Sequence, residues 1–287
     1  MHDEHAASPT NDRYHRGPVT DSDRDAEPGE DAFDIVAAAN ENLRRAFGML
    51  AAEARSGESR QFGPLTVAAA GVPAPIFNRV FVFDVPPVGE LSAAVAWLAE
   101  RDVPFWVTVT DPAVEAVETH RADLDLVKAA EQPGMAMAPL DEIPPRDPVA
   151  EFAEVTDPAE RDEFSTVTAS AFGWPRDVVA QVDRAALAAD DIRLFLGRVD
   201  GQPAASGLLI QSGHVAGVYT IGVVEELRRR GIGEAMTWEV LRAGREAGCQ
   251  VGVLQSSEMG APLYEGMGFE TVVTYHHFEP ATDGGVY

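Results

Sequence analysis

The chain contains 287 residues, and its 47 Asp and Glu residues outnumber its 22 Lys and Arg residues, which gives a formal net charge of −25. Such a charge repels nucleic acids and anionic membranes, so we expect neither as a partner. The single cysteine, Cys249, rules out an intramolecular disulfide and a cysteine-rich metal site, and no metal is expected.

The hydrophobic content indicates a packed protein in solution. Hydrophobic residues make up 45% of the chain, which is ample for a globular core. No apolar run reaches the roughly 18 residues of a membrane helix, and the N-terminus lacks the basic and apolar regions of a secretory signal. We therefore expect a cytoplasmic protein. The acidic surplus with one lysine, Lys128, also fits a salt-adapted, halophilic proteome.

The first 31 residues differ from the rest of the chain. They contain nine acidic residues and no Leu, Ile or Phe, so they cannot bury enough apolar surface to offset the entropy lost on ordering. Residues 1–31 are therefore predicted to form a disordered acidic tail.

Hydrophobic periodicity in residues 32–140 predicts a series of helices and strands. The predicted elements are a helix from Asp31 to about Ala54, strands at Leu65–Ala70 and Arg79–Phe83, a helix at Val88–Glu100, a strand at Phe105–Thr110, a short helix at Pro112–His120, and an extended stretch over residues 125–139.

A proline-rich segment separates the two halves of the chain. Residues 140–149, with the sequence LDEIPPRDPV, carry three prolines among charged residues, which is typical of a linker. We predict a linker at residues 141–149 between one domain at residues 32–140 and another at residues 150–287.

The second half predicts an α+β domain. Asp157 and Pro158 suit the N-cap and first position of a helix, and Asp200-Gly201 favours a hairpin turn. The predicted elements are a strand at Glu151–Val155, a helix to about Phe172, a helix after Pro175, strands at Ile192–Arg198, Ala204–Gln211 and Val215–Val223, a helix at Gly231–Ala247, a strand at Val251–Gln255, a short helix at Pro262–Met267, and a strand at Thr271–Phe278. This order predicts a mixed, mostly antiparallel sheet flanked by helices.

The connection after the strand Val215–Val223 has the composition of an anion site. Residues 228–230 are the only run of three basic residues in the chain, and Gly231 and Gly233 follow them. The first N–H groups of a helix lack partners within the helix, and glycines let a phosphate approach the backbone closely. The alternative is an ordinary glycine turn whose arginines face solvent.

This connection resembles the acyl-CoA pyrophosphate loop of the GNAT family of N-acetyltransferases. Residues 223–233 read VVEELRRRGIG beside a family pattern of Val-x-Pro-Glu-x-Arg-Gly-x-Gly-x-Gly. Glu225 stands where the family usually has proline, and Arg229 stands where it has an optional glycine.

A second motif carries the same resemblance. Residues 263–269, LYEGMGF, are similar to the family's Leu-Tyr-Glu-x-x-Gly-Phe and follow a strand and a loop, as in the family. Many members have Asn seven residues before the tyrosine, where this chain has Ser257. The two motifs in this order imply the acyl-CoA N-acyltransferase fold for the second half.

The resemblance implies transfer of an acyl group, usually acetyl, from coenzyme A to an amine. The N–H groups of Gly222 and Val223, freed where the strands splay, would bind the thioester oxygen. Tyr264 is the candidate general acid, because a phenol with a pKa near about 10 matches a departing thiolate; the alternative is a packed aromatic side chain. The implied coenzyme-binding residues are Ile221, Gly222, Val223, Arg228, Arg229, Arg230, Gly231, Ile232, Gly233 and Ser257.

The base that accepts the amine proton is left open by the sequence. The candidates are a water relay and the side chains of His214, Tyr219, Thr220, Glu225, Glu226 and Glu258.

Residues 32–140 resemble the family more weakly. A strand at residues 77–83, a helix and a strand repeat the element order of the second half, but the connection DVPPVG at residues 84–89 has no Arg-x-x-Gly-x-Gly. We predict a degenerate GNAT-like domain that has lost coenzyme binding, as in tandem members of the family, and that walls the acceptor site or packs on the catalytic half. Asn78 and Arg79 could face the acceptor, although a structural role at the strand end is favoured.

The leading hypothesis is an acetyl-CoA-dependent N-acetyltransferase that acetylates the amine of a small molecule by direct attack, as a monomer or a homodimer. The alternatives are a non-catalytic sensor that binds acyl-CoA and a protein or peptide N-acetyltransferase. Nothing in the sequence identifies the acceptor amine.

Overall fold

The structure is a computed structural model that describes residues 33–140, 143–145, 149–184 and 189–281. The predicted acidic tail at residues 1–31 lies outside these ranges, as do residues 141, 142 and 146–148 of the predicted linker.

Seven α-helices and eleven strands make up the described residues. The helices are α1 (Ile35–Glu53), α2 (Val88–Ala99), α3 (Asp111–His120), α4 (Pro158–Phe172), α5 (Arg176–Val182), α6 (Ile232–Glu246) and α7 (Ala261–Met267). The strands are β1 (Glu58–Phe62), β2 (Leu65–Ala69), β3 (Asn78–Val82), β4 (Trp106–Thr110), β5 (Leu126–Met137), β6 (Glu151–Glu154), β7 (Ile192–Val199), β8 (Gln202–Ser212), β9 (Val215–Val223), β10 (Val251–Gln255) and β11 (Glu270–Pro280).

Local signals in the sequence account for several element ends. The Asp157 side chain accepts hydrogen bonds from the N–H groups of Ala159 and Glu160 at the start of α4, as an N-cap residue does. Asp200 and Gly201 both have positive φ, at 50° and 75°, as a tight hairpin turn between β7 and β8 requires.

One strand, β1, was not predicted. Its side chains are exposed except at the last position, so it lacks the apolar alternation that marks a half-buried strand. Backbone pairing with β2 holds it at the edge of the sheet.

A single eleven-stranded sheet joins both halves of the described chain. Its strand order is β1-β2-β3-β4-β11-β5-β10-β9-β8-β7-β6. The pairs β3/β4 and β9/β10 are parallel, and the other pairs are antiparallel. The predicted mixed, mostly antiparallel sheet flanked by helices is confirmed.

The two halves exchange strands at the centre of the sheet. β11, the last strand, lies between β4 and β5, while β5 lies between β11 and β10. Each half therefore completes its part of the sheet with a strand from the other half. The predicted linker at residues 141–149 falls between β5 and β6, and the domain boundaries stay a prediction.

The first half repeats the topology of the second half, but its two parallel strands stay paired to their ends. Both β3-α2-β4 and β9-α6-β10 place a helix between two parallel strands. At the end of the first pair, the Thr110 hydroxyl donates to the Phe83 carbonyl at 2.7 Å. Helix α2 begins after Pro87, and the connection before it, DVPP at residues 84–87, has neither the arginines nor the glycine that precede α6.

The helices cover both faces of the sheet. Tyr219 on β9 packs with Phe47 of α1, and the preceding residue, Val218, packs with Met236 of α6. Because side chains alternate along a strand, α1 and α6 lie on opposite faces; α4 shares the face of α1, and α2 and α3 share a second core on the other.

The seam between the exchanged strands leaves no room for a side chain at Gly134 of β5. A Cβ atom there would lie 2.5 Å from Val273 Cγ1 and 2.6 Å from Tyr275 Cε2, both on β11.

We expect Gly134→Ala to lower the free energy of unfolding by about 1–3 kcal/mol through overpacking. The matched control is Gly89→Ala on α2, where a Cβ meets nothing within 4 Å. Thermal unfolding measures both, and equal midpoints would contradict the described seam.

Candidate active site

Strand β9 separates from β10 before it ends. The last pair in their parallel register joins Val218 to Leu254, although β9 continues to Val223. Beyond Val218, β9 keeps only β8 as a neighbour. The separation opens a gap in the sheet with free backbone edges.

A strained bulge lies where the two strands separate. The β8–β9 register shifts between Leu208/Tyr219 and Ser206/Gly222, so β9 holds one extra residue there. Thr220 has φ 46°, which is rare for a β-branched residue, and its Oγ1 is buried with no hydrogen-bond partner among the described residues. Bulges and backbone strain of this kind concentrate at functional sites. From the sequence, Thr220 was predicted only as a candidate base. The bulge was not predicted, because position 220 holds no glycine.

Strand alternation decides which N–H groups face the gap. The Val224 N–H donates to the Ala204 carbonyl of β8 at 3.0 Å. In an antiparallel pair, N–H groups alternate in direction, so that of Gly222 also points toward β8. The N–H groups of Val223 and Ile221 then point toward the gap, which favours these two over Gly222 as donors to a ligand.

Gly222 allows close packing instead. A Cβ atom at this position would lie 2.8 Å from Ala171 Cβ and 3.0 Å from Phe172 Cε2. Both belong to the end of α4, so the absence of a side chain lets that helix approach the end of β9.

The loop from β9 to α6 presents a row of backbone donors. Arg229 and Gly231 have left-handed conformations, with φ 62° and 77°, and the N-cap Gly231 has no side chain to cap the helix. The first bond into the helix runs from the Ala235 N–H to the Gly231 carbonyl. None of the N–H groups of residues 229–233 donates to another described residue. With the helix dipole, this arrangement suits an anion.

Arg229, one of the two departures from the family pattern, has a left-handed conformation. The family has an optional glycine at this position, and a left-handed residue with a side chain costs about 1–2 kcal/mol relative to glycine's freedom. The chain keeps the loop conformation while adding a positive charge.

The three arginines of the loop differ in their contacts. Arg228 donates from Nε to the Val223 carbonyl at 3.1 Å and from Nη2 to the Ala171 carbonyl at 2.8 Å. It therefore ties the end of β9 to the end of α4. Arg229 and Arg230 are exposed, and their side chains form no hydrogen bond within the described residues.

Tyr264 on α7 is a packed aromatic residue whose hydroxyl lies near α6. Its ring meets that of Phe269 edge-on at 5.9 Å. The side chain of Thr237, which donates to the Gly233 carbonyl at 2.9 Å, is the polar group near the phenol. Burial raises the pKa of Tyr264 above its usual value, and the nearby Thr237 hydroxyl offsets part of this. The phenol therefore remains a proton donor beside the first turns of α6.

Ser257 shapes the turn that leads into α7. Its Oγ accepts from the Gly260 N–H at 3.1 Å, and its carbonyl accepts from the N–H groups of Gly260 and Ala261 at 3.0 Å. Its predicted contact with the coenzyme stays a prediction.

Two of the candidate bases do not suit the role. His214 precedes β9 at the opposite end of that strand, about 30 Å from Val223 at the usual rise per residue of a strand. The Tyr219 hydroxyl donates to Asn42 Oδ1 at 2.7 Å, and burial raises the pKa of Tyr219 far above neutral. Glu225, Glu226 and Glu258 are exposed, and Thr220 is the bulge residue.

Within the described ranges, no group of three or more His, Cys, Asp and Glu side chains is placed to hold a metal ion. No helix in this part of the chain combines the length and the apolar character needed to cross a bilayer.

Comparison with known proteins identifies the half of the chain that carries this site. Residues 149–253 match the family described as acetyltransferase (GNAT) domain. Residues 149–253 therefore carry a GNAT acetyltransferase domain. GNAT domains catalyse acyl transfer and normally use acetyl-CoA, and the matched range includes the bulge, the loop and α6 but ends before Tyr264.

Solved structures share the fold over most of the chain. A GCN5-related N-acetyltransferase from Kribbella flavida has 20% identity and a TM-score of 0.65, covering 88% of this chain and 98% of its own. A GCN5-related N-acetyltransferase from Sphaerobacter thermophilus has 16% identity and a TM-score of 0.55, covering 78% of each chain.

A tandem GNAT protein from the clavulanic acid biosynthesis pathway has 16% identity and a TM-score of 0.53, covering 77% of this chain and 79% of its own. Identities this low show a shared fold only. No curated protein matches the chain.

The contacts of Arg228 predict a structural effect that its neighbour lacks. We expect Arg228→Ala to lower the thermal unfolding midpoint by a few degrees, because two charge-assisted bonds to carbonyls are lost, at about 1–2 kcal/mol in total for an exposed side chain. Arg230→Ala is the matched control and should leave the midpoint unchanged. Equal midpoints for the two variants would show that Arg228 does not stabilise this GNAT loop.

Proposed function

We propose that the chain is an acetyl-CoA-dependent N-acetyltransferase that transfers an acetyl group to the amine of a small molecule. One observation carries this proposal: the gap beyond Val218 leads directly to the loop of unpartnered N–H groups at residues 229–233. A phosphate-bearing donor whose reactive end enters the sheet matches both features.

The residues at the gap fit coenzyme A. The N–H groups of residues 229–233 would hold the pyrophosphate, and Arg229 and Arg230 would add positive charge in a chain that is otherwise acidic. The N–H groups of Ile221 and Val223 would donate hydrogen bonds to the part of acetyl-CoA that lies in the gap. Acetyl-CoA, when bound, supplies the acetyl group as a thioester with an electrophilic carbonyl carbon.

The chain's own groups then support direct attack by the amine. A backbone N–H of Val223 or Ile221 would stabilise negative charge that develops on the carbonyl oxygen. The amine nitrogen bonds to the carbonyl carbon as the carbon–sulfur bond breaks, and Tyr264 donates its proton to the departing sulfur. Water at the open gap takes the proton lost by the amine, because the side chains nearest the bulge are poor bases.

The first half supports this function without binding coenzyme itself. Its parallel pair is held closed at Thr110, and the connection before α2 reads DVPP where the catalytic half carries three arginines and a glycine. We propose that this half contributes to the wall of the acceptor site.

The test combines coenzyme binding with turnover and isolates Tyr264. Coenzyme A should raise the unfolding midpoint, and acetyl-CoA with a panel of small amines should release free thiol. In Tyr264→Phe we expect kcat to fall by about 10²-fold or more, while coenzyme A affinity stays within about twofold because the hydroxyl is not needed for binding.

The outcomes separate the hypotheses. No stabilisation by coenzyme A would overturn the proposed function at its first step. Tight binding without turnover on any amine would favour a sensor, and turnover on peptides alone would favour a peptide acetyltransferase. An unchanged kcat in Tyr264→Phe would remove Tyr264 as the acid.

A further inference from the structure

Arg79 is a buried cation that has no counter-ion among the residues the structure describes. Its side chain on β3 is only 2% exposed; Nε donates to the Ile76 carbonyl at 2.7 Å, and Nη1 is buried with no partner. No carboxylate among the described residues forms an ion pair with it. An unpaired buried charge is expensive, so a structure that retains one calls for an explanation. The neighbouring Asn78, in contrast, has its side-chain amide fully used by backbone groups.

The groups around Arg79 are all neutral. Its guanidinium carbon lies 4.1 Å from the ring centre of Phe47 and 5.3 Å from that of Trp106. Burial raises the pKa values of Tyr219 and Tyr275, which keeps both hydroxyls protonated. Burial, with Arg79 and His276 nearby, lowers the pKa of His277 to about 2.

Arg79 itself keeps its proton at neutral pH. Burial lowers the pKa of its guanidinium to about 9, which leaves the side chain charged at pH 7. The cluster of Arg79, Tyr219, Tyr275 and His277 therefore has a net charge of one positive unit.

This cluster lies on the sheet face opposite α6, and its member Tyr219 borders the gap. Tyr219 is the first residue of β9 beyond the last β9–β10 pair, and the Phe47 ring that stacks on Arg79 also meets the Tyr219 ring at 6.3 Å. The phosphate-binding loop approaches the gap from the α6 side. An acceptor must approach the thioester from elsewhere, and the α1 face is the other side of the sheet.

The turn between α4 and α5 connects this face to the reaction centre. Phe172 at the end of α4 packs on Gly222, and its ring stacks on that of Trp174 at 4.6 Å. Trp174 meets Phe77, two residues before Arg79, at 5.3 Å. A continuous aromatic wall thus runs from the bulge of β9 to the strand that carries the buried cation.

We propose that Arg79 binds a carboxylate of the acceptor, so that the substrate is an amine that also carries a carboxylate, such as an amino acid. A single guanidinium among neutral groups matches a monoanion, whereas a phosphate dianion would leave excess negative charge buried. The first half thereby supplies the specificity of a reaction whose coenzyme site lies in the second half. This inference rests on the proposed function.

The first test compares matched acceptors on the wild-type protein. Each amino acid is paired with the amine that lacks its carboxylate, for example phenylalanine with phenethylamine, and thiol release from acetyl-CoA gives kcat/KM. We expect the carboxylate-bearing member to be favoured by roughly 30-fold or more, as for a buried charge pair. Equal kcat/KM within the pairs would overturn the inference while leaving the proposed function standing.

The second test uses Arg79→Met with Arg101→Met as the matched control. Arg101 also lies in the first half, stacks on Trp97 at 3.1 Å and pairs with Glu58. Arg79→Met should abolish the preference for the carboxylate with coenzyme A affinity unchanged, and Arg101→Met should keep it. A preference retained in Arg79→Met would contradict the inference.

A binding measurement covers the case in which no acceptor turns over or Arg79→Met folds poorly. Acetate, butyrate and benzoate are each compared with the corresponding primary amide by thermal shift on the wild-type protein. We expect at least one carboxylate to raise the midpoint while its amide does not. Failure of all carboxylates to stabilise the protein more than their amides would show that Arg79 is a structural residue held by its aromatic neighbours.

Discussion

The separation of β9 from β10 is the constraint on which the site depends. Two parallel strands that stay paired to their ends leave no backbone groups for a ligand, as β3 and β4 show in the first half. One extra residue in β9, with Thr220 in a left-handed conformation, frees the end of the second pair. The surrounding structure stabilises this strained backbone, because β8 pairs with β9 on one side and α4 packs closely on Gly222.

The exchange of β5 and β11 makes the first half part of the same structure. Each half uses a strand from the other, so the two halves share one continuous sheet. The first half repeats the strand–helix–strand topology of the second half without its arginine- and glycine-rich loop. Arg79 belongs to the first half, and the Phe47 ring that stacks on it also meets Tyr219, which borders the gap in the second half.

The charges of the chain act on a ligand at long range and at short range in opposite directions. The chain as a whole is strongly acidic, at −25, and long-range repulsion of an anionic ligand follows from this. Short-range features act against it: a row of backbone N–H groups with two exposed arginines on one face, and one buried guanidinium on the other. Because such contacts act over a few ångströms, they survive screening that removes the long-range repulsion.

Much of the fold could be predicted from the sequence, because turn residues and apolar periodicity mark most elements. The start of α4 was predicted from Asp157, and the β7–β8 hairpin from the Asp200-Gly201 pair. The glycines after Arg230 predicted a loop that suits an anion. The exposed β1 had no periodic signal, and the strand exchange depends on long-range pairing that no local pattern encodes.

The site was predicted in part for the same reason. The loop and Tyr264 are marked by local motifs, but the bulge at Thr220 has no glycine to announce it. The contacts of Arg228 with carbonyls and the isolation of Arg79 depend on which side chains the fold brings together. Residue type alone therefore identified them as basic residues and left their different roles open.

We propose that the opened end of β9 and the loop at residues 229–233 form the coenzyme site. The most direct measurement is a residue-resolved ¹⁵N–¹H spectrum of the full chain with and without saturating coenzyme A. We expect the amide signals of Ile221, Val223 and residues 229–233 to shift and those at the start of α2 to stay unchanged. Shifts at the start of α2 with none in the loop, or no shifts at all, would contradict it.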